Sequence, residues 1–355
     1  MSDAQKLIVD TATRLFEDKC KPETLRQAAR GEWSGDLWQQ VEETGLPLAS
    51  IPESAGGVGG SLSDALAVLR IAGQYAAPLP LAESYLAGWL LSGCGLPVSG
   101  EPLTVAFSEK GAIRINPQND QWYISGTVPQ VPYARNTSKI VVLGQNEGKE
   151  QLYLAIVPAE QIQLEQNQNL ANEPRDTLTF NNLAVSQAYP LEYDLNWVKS
   201  RATLARSALI VGALEAIMKR TVNHAAEREQ FGRTLNQFQA IQQQLALMAV
   251  EVTSARISLE AAAHDIENNE NAGEGLVSIA LARVRVVEAA NQVVPMAHQI
   301  HGAMGYTYEY PLHYLTKRVW AWREEYGSET EWAKWLGQYV AAKGGDNLWS
   351  AIIAR

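Results

Sequence analysis

Apolar residues recur at steps of three and four through Phe238, Ile241, Leu245, Met248, Val252, Ala255 and Leu259, the spacing of one helix face. The pattern predicts a long helix with that face in the core. Ile8, Ala12, Leu15 and Phe16 mark a shorter helical face near the N-terminus, and Leu37, Val41 and Leu46 carry a helical period as far as Gly45 and Pro47. The run IPESAGGVGG over 51–60 cannot be helical, because Pro52 and four glycines break it; it leads into a helix capped by Ser61 or Ser63. Helices are predicted over 64–73 and 81–93, separated by Pro78 and Pro80.

The periodicity changes near residue 101. Segments 103–107, 121–125, 139–143, 151–157 and 176–180 are short, rich in β-branched and aromatic residues, and bounded by Gly, Asn, Asp or Pro, which predicts strands. Alternation ends near Tyr189 and Pro190. Helical spacing then resumes with Val211, Leu214 and Met218, is broken at 268–273, and returns over 277–298. The expectation is an α+β chain, mainly α, with a helical domain over 1–100, a β domain over 101–190 and a helical bundle over 195–355.

Composition narrows the functional classes. At 355 residues the chain has room for two or three packed units. Hydrophobic residues make up 46% and charged residues 19%, the balance of a globular protein. No apolar run is long enough to span a bilayer, and the N-terminus is amphipathic and contains acids, so no membrane span, signal peptide or transit peptide is expected. The two cysteines, Cys20 and Cys94, and the five histidines show no metal-ligand spacing, which fits a reducing, cytoplasmic setting without a metal site. A formal net charge of −10 argues against a general nucleic-acid binder.

The polar detail around the long helix carries the chemistry. Arg228 precedes Gln230-Phe231-Gly232, and Gln239 follows Arg228 by eleven residues; further on comes Gln299-Ile-His-Gly-Ala-Met-Gly-Tyr306. These two segments, in this order, resemble the acyl-CoA dehydrogenase family's Arg-x-x-Phe-Gly motif with its following Phe-Gln, and its Gln-x-x-Gly-Gly-x-Gly-Tyr/Phe motif. The loop at 52–60 is similar to the family's Pro-Glu-x-x-Gly-Gly-x-Gly loop. The resemblance implies the family architecture: an N-terminal helical domain, a middle β domain and a C-terminal four-helix bundle. It also implies FAD, an acyl-CoA substrate undergoing α,β-desaturation, electron-transfer flavoprotein or a similar acceptor, and a homo- or hetero-tetramer with a related chain. By position it points to Arg228, Phe231, Gln239, Gln299, His301, Gly302 and Ala303 as contacts to the flavin nucleotide of a neighbouring subunit. A guanidinium can hold a diphosphate through two parallel hydrogen bonds, and a glutamine amide offers donor and acceptor together. The structural alternatives are a surface ion pair of Arg228 with Glu227 or Glu229, and a helix that is simply buried.

Two departures from the family pattern shape the expected function. Where relatives carry a tryptophan segment that holds the flavin ring, this chain has 126–135, GTVPQVPYAR, with two prolines, and 103–108 runs straight on to 109–113. The family's usual catalytic glutamate falls at Tyr326, before Gly327, and the minority position falls at Ala202. Neither is a carboxylate. Glu325 stands one position away, and could act as base if the loop were shifted. Shortened chains of this kind resemble subunits of heteromeric acyl-CoA dehydrogenases whose partner supplies the base. A flavin oxidase or monooxygenase on the same fold, and a helical interaction protein that has lost flavin, are the alternatives.

Overall fold

The computed structural model describes residues 3–108, 111–146, 148, 151–268 and 272–344; expectations that touch 109–110, 269–271 and 345–355 lie outside them. Helices, then strands, then helices follow one another along the chain. The chain divides into two compact units, residues 1–213 and 214–355, with the boundary inside one long helix.

The first unit opens with helices α1 (Asp3–Lys19), α2 (Pro22–Ala29), α3 (Gly35–Glu43), α4 (Leu62–Gln74) and α5 (Leu81–Gly93). Ser61 caps α4: its Oγ accepts from Asp64 N at 3.2 Å while Ser61 N donates to Asp64 Oδ2 at 2.9 Å, a reciprocal capping box. The glycine-rich loop before it is folded tightly on its own chain. A Cβ on Gly57 would lie 2.0 Å from Ile51 O, and one on Gly60 2.2 Å from Ala49 O, so both positions need glycine for backbone close approach.

The sheet contains β1 (Thr104–Ala106), β2 (Arg114–Gln118), β3 (Gln121–Pro132), β4 (Lys139–Gln145), β5 (Leu152–Pro158), β6 (Gln163–Glu165), β7 (Arg175–Val185) and β8 (Tyr189–Pro190). Its order is β6-β7-β3-β2-β4-β5-β8, with β1 beside β4. Hairpin neighbours run antiparallel, while β1 and β2 meet β4 in parallel. Ile113, Ile115, Ile124, Ile140, Val142, Val157 and Leu178 form its core. β2, β6 and β8 carry too little alternation to be read beforehand: β2 contains Pro117, and the other two are three and two residues long.

Helix α6 (Leu195–Glu227) leads into the second unit, which holds the short strands β9 (Glu229–Gln230) and β10 (Arg233–Thr234) and helices α7 (Gln239–Asn268), α8 (Ala272–His301), α9 (Leu312–Trp322) and α10 (Glu329–Lys343). The apolar face read on α7 is core at Met248, Val252, Ala255 and Leu259. It is only half covered at Phe238, Ile241 and Leu245, so that part of the expectation is corrected. Phe238 also precedes the helix, ending a 3-10 turn. Leu247, Val250 and Ile257 are exposed on another face, which makes α7 apolar on more than one side.

Candidate functional site

Arg228 closes the last turn of α6, its N–H donating to His224 O at 2.9 Å. The chain then reverses through the β9–β10 hairpin, with Phe231 at φ +52 and Gly232 at φ +78 as its central pair. Left-handed backbone is costly for a bulky residue, and the Phe231 ring is nevertheless 93% exposed, meeting Phe238 edge-on at 6.3 Å. Leu235 N returns to Arg228 O at 2.9 Å and fixes the hairpin root. The exposed Arg228 guanidinium has no hydrogen bond or ion pair among the described residues, so the pairing with Glu227 or Glu229 does not form. Gln239, the first residue of α7, is also exposed.

At the C-terminal end of α8, Gln299 is exposed and accepts from Gln244 Nε2 at 3.4 Å, a contact linking the ends of α7 and α8. Gly302, Ala303 and Met304 follow, all exposed, in a 3-10 turn. Gly302 has φ +57 and nothing within 4 Å of a built Cβ, so its backbone faces open space. His301 behaves differently from its neighbours: it is 4% exposed and turned inward. Its Nδ1–H donates to Ala297 O at 2.8 Å, and its Nε2 lies 3.1 Å from the Tyr310 hydroxyl. It stacks on His224 at 4.4 Å, one helical turn before Arg228. That contact brings the Arg228 and Gln299 segments together.

Four of the five histidines, His224, His298, His301 and His313, thus lie among tyrosines in this unit, and sequence reading missed the cluster because it asked only for metal-ligand spacing. His298 stacks on Tyr306 at 4.5 Å, and His313 Nδ1–H donates to Tyr310 O at 2.9 Å. Burial lowers all four pKa values, that of His301 to about 4, where His224, His298 and Arg220 add repulsion and the Ala297 carbonyl partly opposes the fall. No group of three or more potential metal ligands is present among the described residues.

The two family positions for a base are occupied differently. Ala202 is 3% exposed on α6, and one turn on Arg206 forms a buried ion pair with Glu83 of α5 at 2.5 Å. Tyr326, at φ +59, and Gly327, at φ +101, form a turn held by buried Arg283. The Arg283 guanidinium donates to the carbonyls of Trp322, Arg323, Glu325 and Gly327 at 3.0, 2.8, 2.8 and 3.2 Å, and Trp332 Nε1 donates to Tyr326 O at 3.1 Å. Shifting Glu325 by one position would break this set. Nothing in the sequence singled out Arg283.

The 126–135 segment is closed on itself. β3 shifts register between Val128 and Val131 with Gln130 at φ +62, and Val128, Val131 and Tyr133 are buried. Trp33 meets the Tyr133 ring edge-on at 6.4 Å, and Arg175 lies over it at 5.9 Å. Arg135 is bound to fully buried Asp176 through its backbone N at 2.9 Å and through its guanidinium.

Comparison with known proteins agrees with this architecture. The chain matches the family models "Acyl-CoA dehydrogenase, N-terminal domain" over residues 2–96 and "Acyl-CoA dehydrogenase, C-terminal domain" over 195–329. It belongs to the acyl-CoA dehydrogenase family. It is 29% identical over 325 residues to Acyl-CoA dehydrogenase IpdE2 of Mycolicibacterium smegmatis, covering 90% of this chain and 93% of that protein. It is 26% identical over 330 residues to Acyl-CoA dehydrogenase FadE27 of Mycobacterium tuberculosis, covering 86% and 88%. Among solved structures, a variant of the Tcur3481-Tcur3483 steroid ACAD superposes with a TM-score of 0.87 at 26% identity, over 96% of this chain and 98% of that one. Butyryl-CoA dehydrogenase from Megasphaera elsdenii shares the fold, with a TM-score of 0.86 at 18% identity over 96% and 99%.

Proposed function

We propose that this chain is a subunit of an FAD-dependent acyl-CoA dehydrogenase that grips the flavin nucleotide of a neighbouring subunit and relies on that neighbour for the α-proton base. One observation carries the proposal: Arg228, Gln239 and Gln299 offer exposed polar side chains, and Gly302 open backbone, at one end of the second unit, while Ala202 and Tyr326 leave both base positions without a carboxylate.

The donor set fits a diphosphate-bearing ligand. Arg228 can give two parallel hydrogen bonds to diphosphate oxygens, the two glutamine amides can serve ribose or phosphate, and open backbone at Gly302 admits close approach. The 126–135 segment does not fit a ring-holding role of its own, because Val128, Val131 and Tyr133 are spent on packing. FAD, when bound, supplies a hydride acceptor for the substrate β-carbon. This chain's part is to bind and orient; the α-proton goes to a carboxylate of the partner. Tyrosine has an unperturbed pKa of about 10 and makes a poor base at neutral pH. The name of the Tcur3481-Tcur3483 relative supports a bulky, steroid-derived acyl group as substrate class. Electron-transfer flavoprotein or a similar carrier is the acceptor that fits, and a tetramer with a related chain is the assembly.

The test is an acyl-CoA-dependent dye-reduction assay on the purified chain alone and after assembly with its partner. The lone chain should be silent, and Glu325→Gln should leave the assembled activity intact. Turnover by the lone chain that Glu325→Gln abolishes would make Glu325 the base and overturn the partner-dependent scheme.

A further inference from the structure

His224 lies one turn before Arg228, and His301 directly precedes Gly302. Their rings stack at 4.4 Å with 20° between planes, and Tyr310 packs beside both, its ring 4.9 Å from His301 and 6.1 Å from His224. We propose that His224 and His301 are positioning residues that latch the Arg228 hairpin to the Gly302 turn as one nucleotide-gripping surface, and that the latch holds only while both rings are uncharged. The proposal rests on the function assigned to that surface above.

Hydrogen bonding defines the neutral state. The Ala297 carbonyl can only accept, so His301 carries its proton on Nδ1 and leaves Nε2 bare for the Tyr310 hydroxyl to donate to. A proton added at Nε2 removes that acceptor and puts a cation against the His224 ring. The groups facing the pair oppose the added charge. From α6 come Arg220, Glu227 and Arg228, from α8 His298, and from the segment before α9 Tyr310; two guanidiniums thus stand against one carboxylate. His298 and His313 extend the same cluster, and His298 Nδ1 and His313 Nε2 are buried without a hydrogen-bond partner among the described residues.

The sign of the pH effect follows from burial. His301 is lowered from 6.5 to about 4, so between these values the unfolded chain holds a proton that the folded chain excludes. The latch is at full strength above about pH 6.5 and is lost as pH falls towards about 4. Neither residue need touch the ligand; each acts through the segments it holds.

The experiment has two readouts. In the first, the flavin-retaining oligomer in which the chain purifies is dialysed stepwise from about pH 8 to about pH 4, a span that runs from above ordinary histidine titration down to the lowered value of His301, and FAD per chain is read by absorbance. Wild type should release FAD about ten-fold more readily at the acid end, the change expected of one pKa unit of linkage. The double variant His224→Phe with His301→Phe keeps stacked rings that cannot titrate, and should hold FAD across the range. His301→Ala should release it at every pH. A double variant that follows the wild-type profile, or a folded His301→Ala that retains FAD like wild type, overturns the proposal.

In the second readout, ring-labelled histidines of the chain alone are titrated by NMR. His301 should stay neutral well below its ordinary range, and its titration should move the Arg228 and Gly302 amides together. Ordinary titration with both amides unmoved overturns the latch whatever the flavin does. Arg228→Ala separates the two levels: full FAD retention in that variant removes the gripping surface itself, while the NMR result still judges the latch.

Discussion

The 126–135 segment and the surface built by Arg228, Gln239, Gln299 and Gly302 are both places where family resemblance puts flavin contacts, and the chain treats them in opposite ways. In the first, polar and aromatic groups are spent: Arg135 is committed to buried Asp176, and Tyr133 lies beneath Arg175 and against Trp33. In the second, Arg228 and Gln239 are exposed, Phe231 stands in solvent, and Gly302 faces open space. A region whose donors are satisfied internally contributes stability, and a region that keeps exposed polar groups is the one to which the proposed function assigns affinity. Substitution should separate the two.

The largest effect belongs to the closed region. Asp176→Ala leaves the Arg135 guanidinium partly buried without its carboxylate, and breaking one side of a buried pair costs about 3–5 kcal/mol. Urea denaturation should show a loss of that order, while FAD per folded chain in the assembled protein stays unchanged. A loss of FAD from well-folded Asp176→Ala protein would mean that 126–135 still serves the cofactor.

Arg228→Ala should behave in the reverse sense. Removing an exposed side chain that makes no hydrogen bond or ion pair among the described residues changes folding stability by no more than about 0.5 kcal/mol. Losing a charge-assisted, bidentate contact to a phosphate group costs about 1.5–3 kcal/mol, or about ten-fold or more in FAD affinity. Equal affinity in wild type and variant, measured by FAD titration of the assembled protein, would leave the open surface without a cofactor role.

Much of this contrast was legible in the sequence, and the rest has identifiable physical reasons. Arg228, Gln239 and Gln299 could be singled out because motif spacing fixes them on the chain, and helix periodicity located the core half of α7. The half-covered state of Phe238, Ile241 and Leu245 could not be read, since periodicity reports which face is apolar and not whether this chain covers it. Strands β2, β6 and β8 escaped because Pro117 and sheer shortness remove alternation. His301 was grouped with its exposed neighbours by position, whereas its ring is drawn inward by Ala297, Tyr310 and His224. The grip of Arg283 on the Tyr326 turn is a contact between distant residues, which no local pattern encodes.

The smallest effect is the sharpest test of the open region. Gly302 and Gly31 both have left-handed backbone, φ +57 and φ +91, and at neither would an added Cβ meet an atom within 4 Å. Alanine at either position should therefore cost stability through backbone conformation alone, about 1 kcal/mol. Gly31 lies at the end of α2, outside every segment assigned to nucleotide contact, so Gly31→Ala measures that conformational cost by itself. If nucleotide approaches the Gly302 backbone, Gly302→Ala should lose the same stability and in addition weaken FAD binding, since the new methyl occupies space the ligand needs. Thermal unfolding and FAD titration of the two variants side by side separate the terms. Matching stability losses with no difference in FAD affinity would reduce Gly302 to a chain reversal and confine the gripping surface to Arg228 and the glutamines.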